Sequence, residues 1–530
     1  MLISLLRTIF RRRSAGPARE ENPPRTLPGQ AGLYPQRRPG SADSLDVESQ
    51  LGLGKAHIAA GSLDAAQACM EAALAAHSAD PRVLCCLGEI KGMQGEFDQA
   101  LAWFGKALEA SPQFGPALAD MGLAMHKLRR LPEAETWLRE AIRADPWNLN
   151  AWLTLGVVCR QLGRSEDAIH HHEQALIRFP DNPRILSGLG ACHAHLGNLA
   201  VAQKCFDWAL EVAPDFFEAR LNRSFIYLTN GDYRLGFAEY ESRLQKPELV
   251  RLMSGKPMPV WQGEPLATKK IALVSEQGYG DSIQFIRFAA DLADRGATVH
   301  VETNPVLRRL LASAKGVSSC AETSATGFSA DFFCPLMSLP HRLGITLETL
   351  PARTPYFRLR DGDVERWRNK LGSFRKLRVG IAWASDPDNW TSNVKSIALD
   401  QLLPVLAAQE VSYFSLQVGP GSEQARKWHG TIDITDLSAD LKDFHDSACL
   451  VESLDLVISI DSAVAHLAGA LLKPVWVLLR HAPDWRWGIE ERGCAWYPSA
   501  RLFRQTTAGN WEDVVADLAL ALTQFASSRS

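Results

Sequence analysis

Near the carboxyl end of the 530-residue chain, Asp461, Ser462, Ala463 and His466 follow the apolar run Leu456–Ile460 in the order Asp-Ser-Ala-x-x-His. The run reads as a buried strand and the residues after it as the start of a helix. Free backbone N–H groups and the helix dipole at such a start favour a diphosphate. Ser462 and His466 are four residues apart and share one helix face. His466 can donate to a phosphate or a sugar hydroxyl, and Asp461 can hold a sugar hydroxyl. Gly469 lets the helix approach its neighbours closely. The same residues also suit a plain N-cap at Asp461 and a half-buried helix histidine.

A second carboxylate, Asp281, lies in GYGDSIQF (Gly278–Phe285) directly after the strand-like run Lys270–Ser275. At a helix N-terminus its pKa should be lowered, which keeps it ionised but makes it a weaker base. Gln277 and Gln284 are placed to orient an acceptor. Gly278-Tyr279-Gly280 lacks the third glycine of a dinucleotide fingerprint, and nothing matches a Walker A loop. Trp485 and Trp487 suit stacking on a base or sugar, or anchoring between domains. Asp361-Gly362-Asp363 has metal-donor spacing but opens a charged helix. It reads as an N-cap, and no metal or cofactor is assigned.

The elements that must position these residues alternate. Strands are expected at Lys270–Ser275, Ala297–Glu302, Phe332–Pro335, Leu377–Trp383, Val411–Gln417, Leu456–Ile460 and Pro474–Leu479, with helices between most of them. This pattern predicts parallel, doubly wound sheets, whose ligands sit outside the carboxyl ends of the strands.

Three segments, GYGDSIQF (Gly278–Phe285), VGIAWASDPDNWTSNVKSI (Val379–Ile397) and LDLVISIDSAVAHLAGALLKPVWVLL (Leu454–Leu479), resemble the bacterial heptosyltransferase family, glycosyltransferase family 9. The resemblance covers roughly residues 270–522. It implies the two-Rossmann GT-B architecture and metal-independent, inverting sugar transfer from a nucleotide-diphosphate donor. It also implies roles: Asp281 as base toward the acceptor hydroxyl, Lys395 neutralising the leaving diphosphate, and Glu423 holding the nucleoside. Asp461, Ser462, Ala463 and His466 complete the implied donor site.

The first half repeats. Gly54, Gly88, Gly122, Gly156 and Gly190 are 34 residues apart, as are Ala66–Ala202, Ala73–Ala209 and Pro112–Pro214 within their series. Two helices of about a dozen residues and two turns fill that period, so residues 47–250 resemble about six tetratricopeptide repeats. The joint layout is similar to that of protein O-linked N-acetylglucosamine transferases. Stacked pairs present a concave groove suited to a protein or peptide. Asn148, Asn150, Asn182, Arg184 and Asn222 lie along it or at its edge, and Asn side chains can grip an extended backbone. Trp152 and Arg223 are nearby, Trp152 being also a usual core position.

Lys+Arg 57 against Asp+Glu 60 gives a net charge of −3, which argues against overall basic affinity for nucleic acid. The ten cysteines are scattered without C-x-x-C, which fits a reducing compartment, the cytoplasm. Met1–Arg13 places an apolar run before three arginines; it reads as part of a disordered Pro-rich tail, or as a short anchor in weak, reversible contact with the inner face of a membrane. The expected fold is therefore an α-solenoid followed by a GT-B-like pair of Rossmann-like units. The expected boundaries are a Pro-rich basic tail (1–46), repeats (47–250), and units at 264–375 and 376–526. The expected function is a glycosyltransferase acting on a protein or glycan acceptor, the repeats recruiting acceptor or partner. The alternatives are a non-catalytic repeat scaffold with a degenerate transferase domain and a nucleotide-binding regulator.

Overall fold

The computed structural model describes residues 42–76, 79–323, 329–351, 353–372, 376–386, 392–408, 410–427, 433–489 and 493–528. The segment Met1–Arg13 lies outside them. Among the described residues, no helix is long and apolar enough to cross a membrane.

Among the described residues, twelve α-helices, from α1 (Ala42–Ala59) to α12 (Tyr233–Tyr240), form successive antiparallel pairs. The glycine series has a direct steric cause. A Cβ added to Gly88 would lie 2.3 Å from the Phe104 ring, one on Gly122 2.6 Å from Leu138, and one on Gly156 2.3 Å from His172. On Gly190 it would lie 2.6 Å from Phe206. Each glycine of a first helix is covered by the residue sixteen positions later in the second, so the pair can pack only with hydrogen there. The alanine series at 66–202 and 73–209 is fully buried on the facing helix. The prolines stand two residues past the helix ends at Ala110, Ala144, Arg178 and Val212, where they bar continuation.

The sixth pair ends early. After α12 the chain turns through a 3-10 segment, Glu241–Gln245, and a helix, Pro247–Ser254. Arg243 of that segment is fully buried and ion-paired with the equally buried Glu276 at 2.6 Å. This pair pins the array to the first sheet. Its four parallel strands run β3 (Val317–Glu322), β2 (Thr298–Thr303), β1 (Lys270–Val274), β4 (Phe332–Pro335).

The second sheet has six parallel strands in the order β10 (Ala500–Arg504), β9 (Val475–Leu479), β8 (Leu456–Ile460), β5 (Leu377–Ala382), β6 (Val411–Ser415), β7 (Ile434–Asp436). This is the doubly wound order, and strand direction of travel reverses between β5 and β8. Strands β3, β7 and β10 were not expected from the sequence: β3 is polar and half-exposed, β7 has three residues, and β10 follows a long loop. The closing helix, Glu512–Ser527, packs Val515, Leu518 and Leu522 on its own sheet with Leu456, Ile458 and Trp476. The fold is thus a tetratricopeptide-type α-solenoid followed by a parallel-sheet α/β region.

Candidate functional site

The switch point between β5 and β8 opens onto the loops carrying Lys395 and Asp461. Asp461 follows β8, and its carboxylate accepts from Lys395 Nζ at 2.7 Å and from Trp487 Nε1 at 2.8 Å. Asp461 is therefore not the helix cap. Ser462 takes that place, in extended backbone, and its Oγ accepts from the Val464 N–H at 3.3 Å. Burial pushes the Asp461 carboxyl up, but Lys395, His466 and Trp487 hold it further down, so its net pKa is lowered.

His466 is buried, stacked on Trp487 at 5.1 Å, with Nδ1 3.0 Å from the Tyr497 hydroxyl. Burial lowers its pKa to about 4, against the pull of Asp461, so the ring is neutral near pH 7.

The first sheet brings its own switch-point loop onto this cluster. Asp281, in the helix Tyr279–Phe285, accepts from the Gly278 N–H at 2.9 Å and from Arg486 at 2.6 Å. Burial pushes its carboxyl up by more than Arg486 and the Gly278 amide pull it down. This corrects the expected lowering: desolvation between two packed units outweighs the helix terminus. Gly280 is the contact point. A Cβ there would lie 2.8 Å from His466 and 3.5 Å from the Ala463 Cα, so its glycine serves the approach of two helices rather than a dinucleotide.

Arg486, missed in the sequence reading, ties the halves together. Its guanidinium donates to Asp281, to the Gln284 Oε1 at 2.8 Å and to Asp484 at 2.8 Å. Gln284 is fully buried and its Nε2 has no partner among the described residues. The available signal was the Trp-Arg-Trp triplet in the loop beyond β9, where a cation between two aromatic rings is shielded from water. Gln277 has a left-handed φ of 62° and accepts from the Tyr240 hydroxyl of α12 at 3.1 Å, so the repeats touch the loop after β1.

Trp485 is an anchor. It packs against Tyr233 and Phe237 of α12, Phe285 and Trp496 at centroid distances of 5.7–6.5 Å. Glu423 does not join the site: it is exposed and paired with Lys427 at 3.1 Å, one helical turn away. Gln424, next to it, instead accepts from the Trp383 indole at 2.8 Å. Asp363 accepts from His445 at 3.2 Å, while Arg360 rather than an aspartate occupies the N-cap of its helix.

On the repeats, the Asn148 and Asn182 side-chain oxygens cap the helices Leu149–Gln161 and Pro183–His195. They are held by their own backbone and leave only amide N–H groups for a partner. Asn150 accepts from Arg184 at 3.3 Å, and Asn222 donates to Ser187 at 3.2 Å. Arg223 is paired with Asp207 and Glu239. Trp152 is buried and donates to the Pro146 carbonyl at 3.0 Å, as a core residue does. Two surface cavities, of about 320 Å³ beside Arg309, Arg366 and Asp446 and about 740 Å³ beside Phe357 and Leu471, contain none of the site residues. The candidate site is a packed seam.

Residues 19–230 match the family model of the cilia and flagella-associated protein 70 C-terminal domain, a tetratricopeptide domain. Protein FlbA of Caulobacter vibrioides is 26% identical over 496 residues, covering 82% of this chain and 83% of that protein. The crystal structure of TTC0263, a tetratricopeptide protein of Thermus thermophilus, is 27% identical. It covers 34% of this chain and 99% of its own, with a TM-score of 0.31. The first half of the chain is a tetratricopeptide-repeat array.

Proposed function

We propose that the chain is a glycosyltransferase that moves a sugar from a nucleotide-diphosphate donor to a hydroxyl of a protein or glycan acceptor. The observation that carries this reading is the meeting of two switch-point loops. One brings Asp281, held by Arg486; the other side, through the loops after β5 and β8, brings Lys395 paired with Asp461, a Ser462-capped helix start and His466.

The acceptor oxygen attacks the anomeric carbon, forming a C–O bond as the bond to the diphosphate breaks with inversion. The acceptor proton goes to Asp281, and the diphosphate leaves with the electron pair. A carboxyl raised by burial is a stronger base than one at an exposed helix start. Lys395 exchanges Asp461 for the departing phosphate, and neutral His466 offers an N–H or lone pair to the donor without competing charge. GT-B form and independence from metal belong to this reading. The repeats bring the acceptor or a partner protein into a groove continuous with α12, whose Tyr240 touches Gln277.

A scaffold without turnover is the second reading, favoured by the ion pair that ties Asp281 to Arg486. The deciding experiment is mass spectrometry of the full chain with a panel of nucleotide-sugars, followed by transfer and nucleotide binding in Asp281→Asn. Loss of transfer by about 10²–10⁴ with binding retained supports catalysis. Full activity in the variant removes Asp281 as base. No consumption of any donor leaves the scaffold.

A further inference from the structure

Arg480 stands one residue beyond β9, on the strand adjacent to the one that delivers Asp461. Its Nε and Nη1 are buried and meet no acceptor among the described residues. The carboxylates within its field are already engaged: Asp461 with Lys395 at 2.7 Å and Asp484 with Arg486 at 2.8 Å.

The repeat array closes the other side. Gly197, in the turn after the helix Pro183–His195, lies against His481, with 3.7 Å between a Cβ built on the glycine and the His481 Nε2. His195, at the end of that helix, is fixed by a 2.7 Å contact of its Nδ1 with the Ser165 hydroxyl. Burial first, then the charges of Arg480 and Arg160, lower its pKa to about 4. Arg160 in turn opposes the charge on Arg480. The array thus meets the end of β9 at Gly197 and His481, and the charges of Arg480 and Arg160 both act on His195 there. A buried cation without a counter-ion of its own is strongly unfavourable, and an entering anion would relieve it.

We propose that Arg480, at its seam with the repeat array, forms an oxyanion site that takes the diphosphate of the donor, the positive field of Arg160 adding to it from the repeats. This rests on the donor reading above and extends it. Lys395 must first give up Asp461 to meet phosphate, whereas Arg480 has donors already unspent. Arg480 offers its Nε–H and Nη1–H groups to phosphate oxygens.

The test uses the full chain with inorganic pyrophosphate, by calorimetry and by thermal melting. Arg480→Gln should weaken pyrophosphate binding at least tenfold, and Arg160→Gln several-fold. Without ligand, Arg480→Gln should melt no lower than the parent, since it removes a buried unpaired charge. A purely structural arginine would do the reverse. Absence of pyrophosphate binding in the parent, unchanged binding in Arg480→Gln, or a lowered ligand-free melting point in that variant overturns the proposal. Malonate run in parallel separates sources: tighter binding of the dicarboxylate than of pyrophosphate would overturn the diphosphate assignment. Transfer insensitive to Arg480→Gln would sink this site and leave the transferase reading standing. Arg480-dependent pyrophosphate binding with no donor consumed would do the opposite.

Discussion

Two buried histidines show how differently the halves of this molecule are built. His172, in the repeats, is wedged against Gly156 and Gly188, and its Nδ1 has no partner among the described residues. His466, at the seam, is just as enclosed but lies among Asp461, Trp487 and Tyr497. Burial lowers both, to about 3 and about 4 respectively. The first is a packing residue, interchangeable with Phe104, Leu138 and Phe206 at the equivalent place in other repeats. The second belongs to a hydrogen-bonded and stacked network with Asp461, Trp487 and Tyr497. A depressed pKa alone does not mark a site; the surrounding polar partners do. The same contrast holds for charge. The ion pairs of the array are mostly exposed and local, whereas the seam buries Arg243–Glu276 and Arg486–Asp281.

The sharpest way to break this comparison is at the buried pair. Arg243→Met leaves Glu276 uncompensated and should cost about 3–5 kcal/mol in urea denaturation. A cost below about 1 kcal/mol would place that pair with surface charges.

Acid comes next. The folded pKa values of His172 and His466 lie below the ordinary value of 6.5. Their contribution is full above about pH 6.5, where folded and unfolded chains are both neutral. It is lost as pH falls, because the unfolded chain protonates first. Denaturant midpoints should therefore decline from pH 6.5 toward pH 4, by up to about 1.4 kcal/mol per pH unit for each histidine. His172→Leu should flatten that slope. An unchanged slope would mean that His172 is hydrated in the folded chain.

Smaller still is overpacking. Gly88→Ala gains helix propensity but meets the Phe104 ring, and a net loss of about 1–2 kcal/mol is expected in thermal melts. Gly280→Ala meets a different neighbour, the His466 ring, and should alter nucleotide binding more than stability. The smallest effect belongs to the exposed pair Arg143–Glu140: Arg143→Ala should cost no more than about 0.5 kcal/mol.

The repeats were legible because their cause is periodic. A helix pair of fixed length returns every 34 residues, and hydrogen at Gly88, Gly122, Gly156 and Gly190 is demanded by the residue facing each. The apolar strands β1, β5, β8 and β9 were legible because they are buried on both faces and so read as continuous runs. Glu423, given a role only by the resemblance, stands exposed on a short helix beside Lys427, and no local pattern says which way a short helix faces.

What the sequence determined by itself was thus the order of elements, the repeat, and the presence of Asp281, Lys395, Asp461 and His466 in the segments that follow strands, since these follow from spacing along the chain. Tertiary structure alone decided which groups meet. Arg486 reaches Asp281 across 205 positions, and Arg243 reaches Glu276 across 33. His481, next to Arg480, lies against Gly197 of the repeats, which precedes it by more than two hundred residues. Desolvation belongs to that second class as well. The pKa of Asp281 rises because two sheets close over it, and no one-dimensional pattern carries the burial that a distant surface imposes.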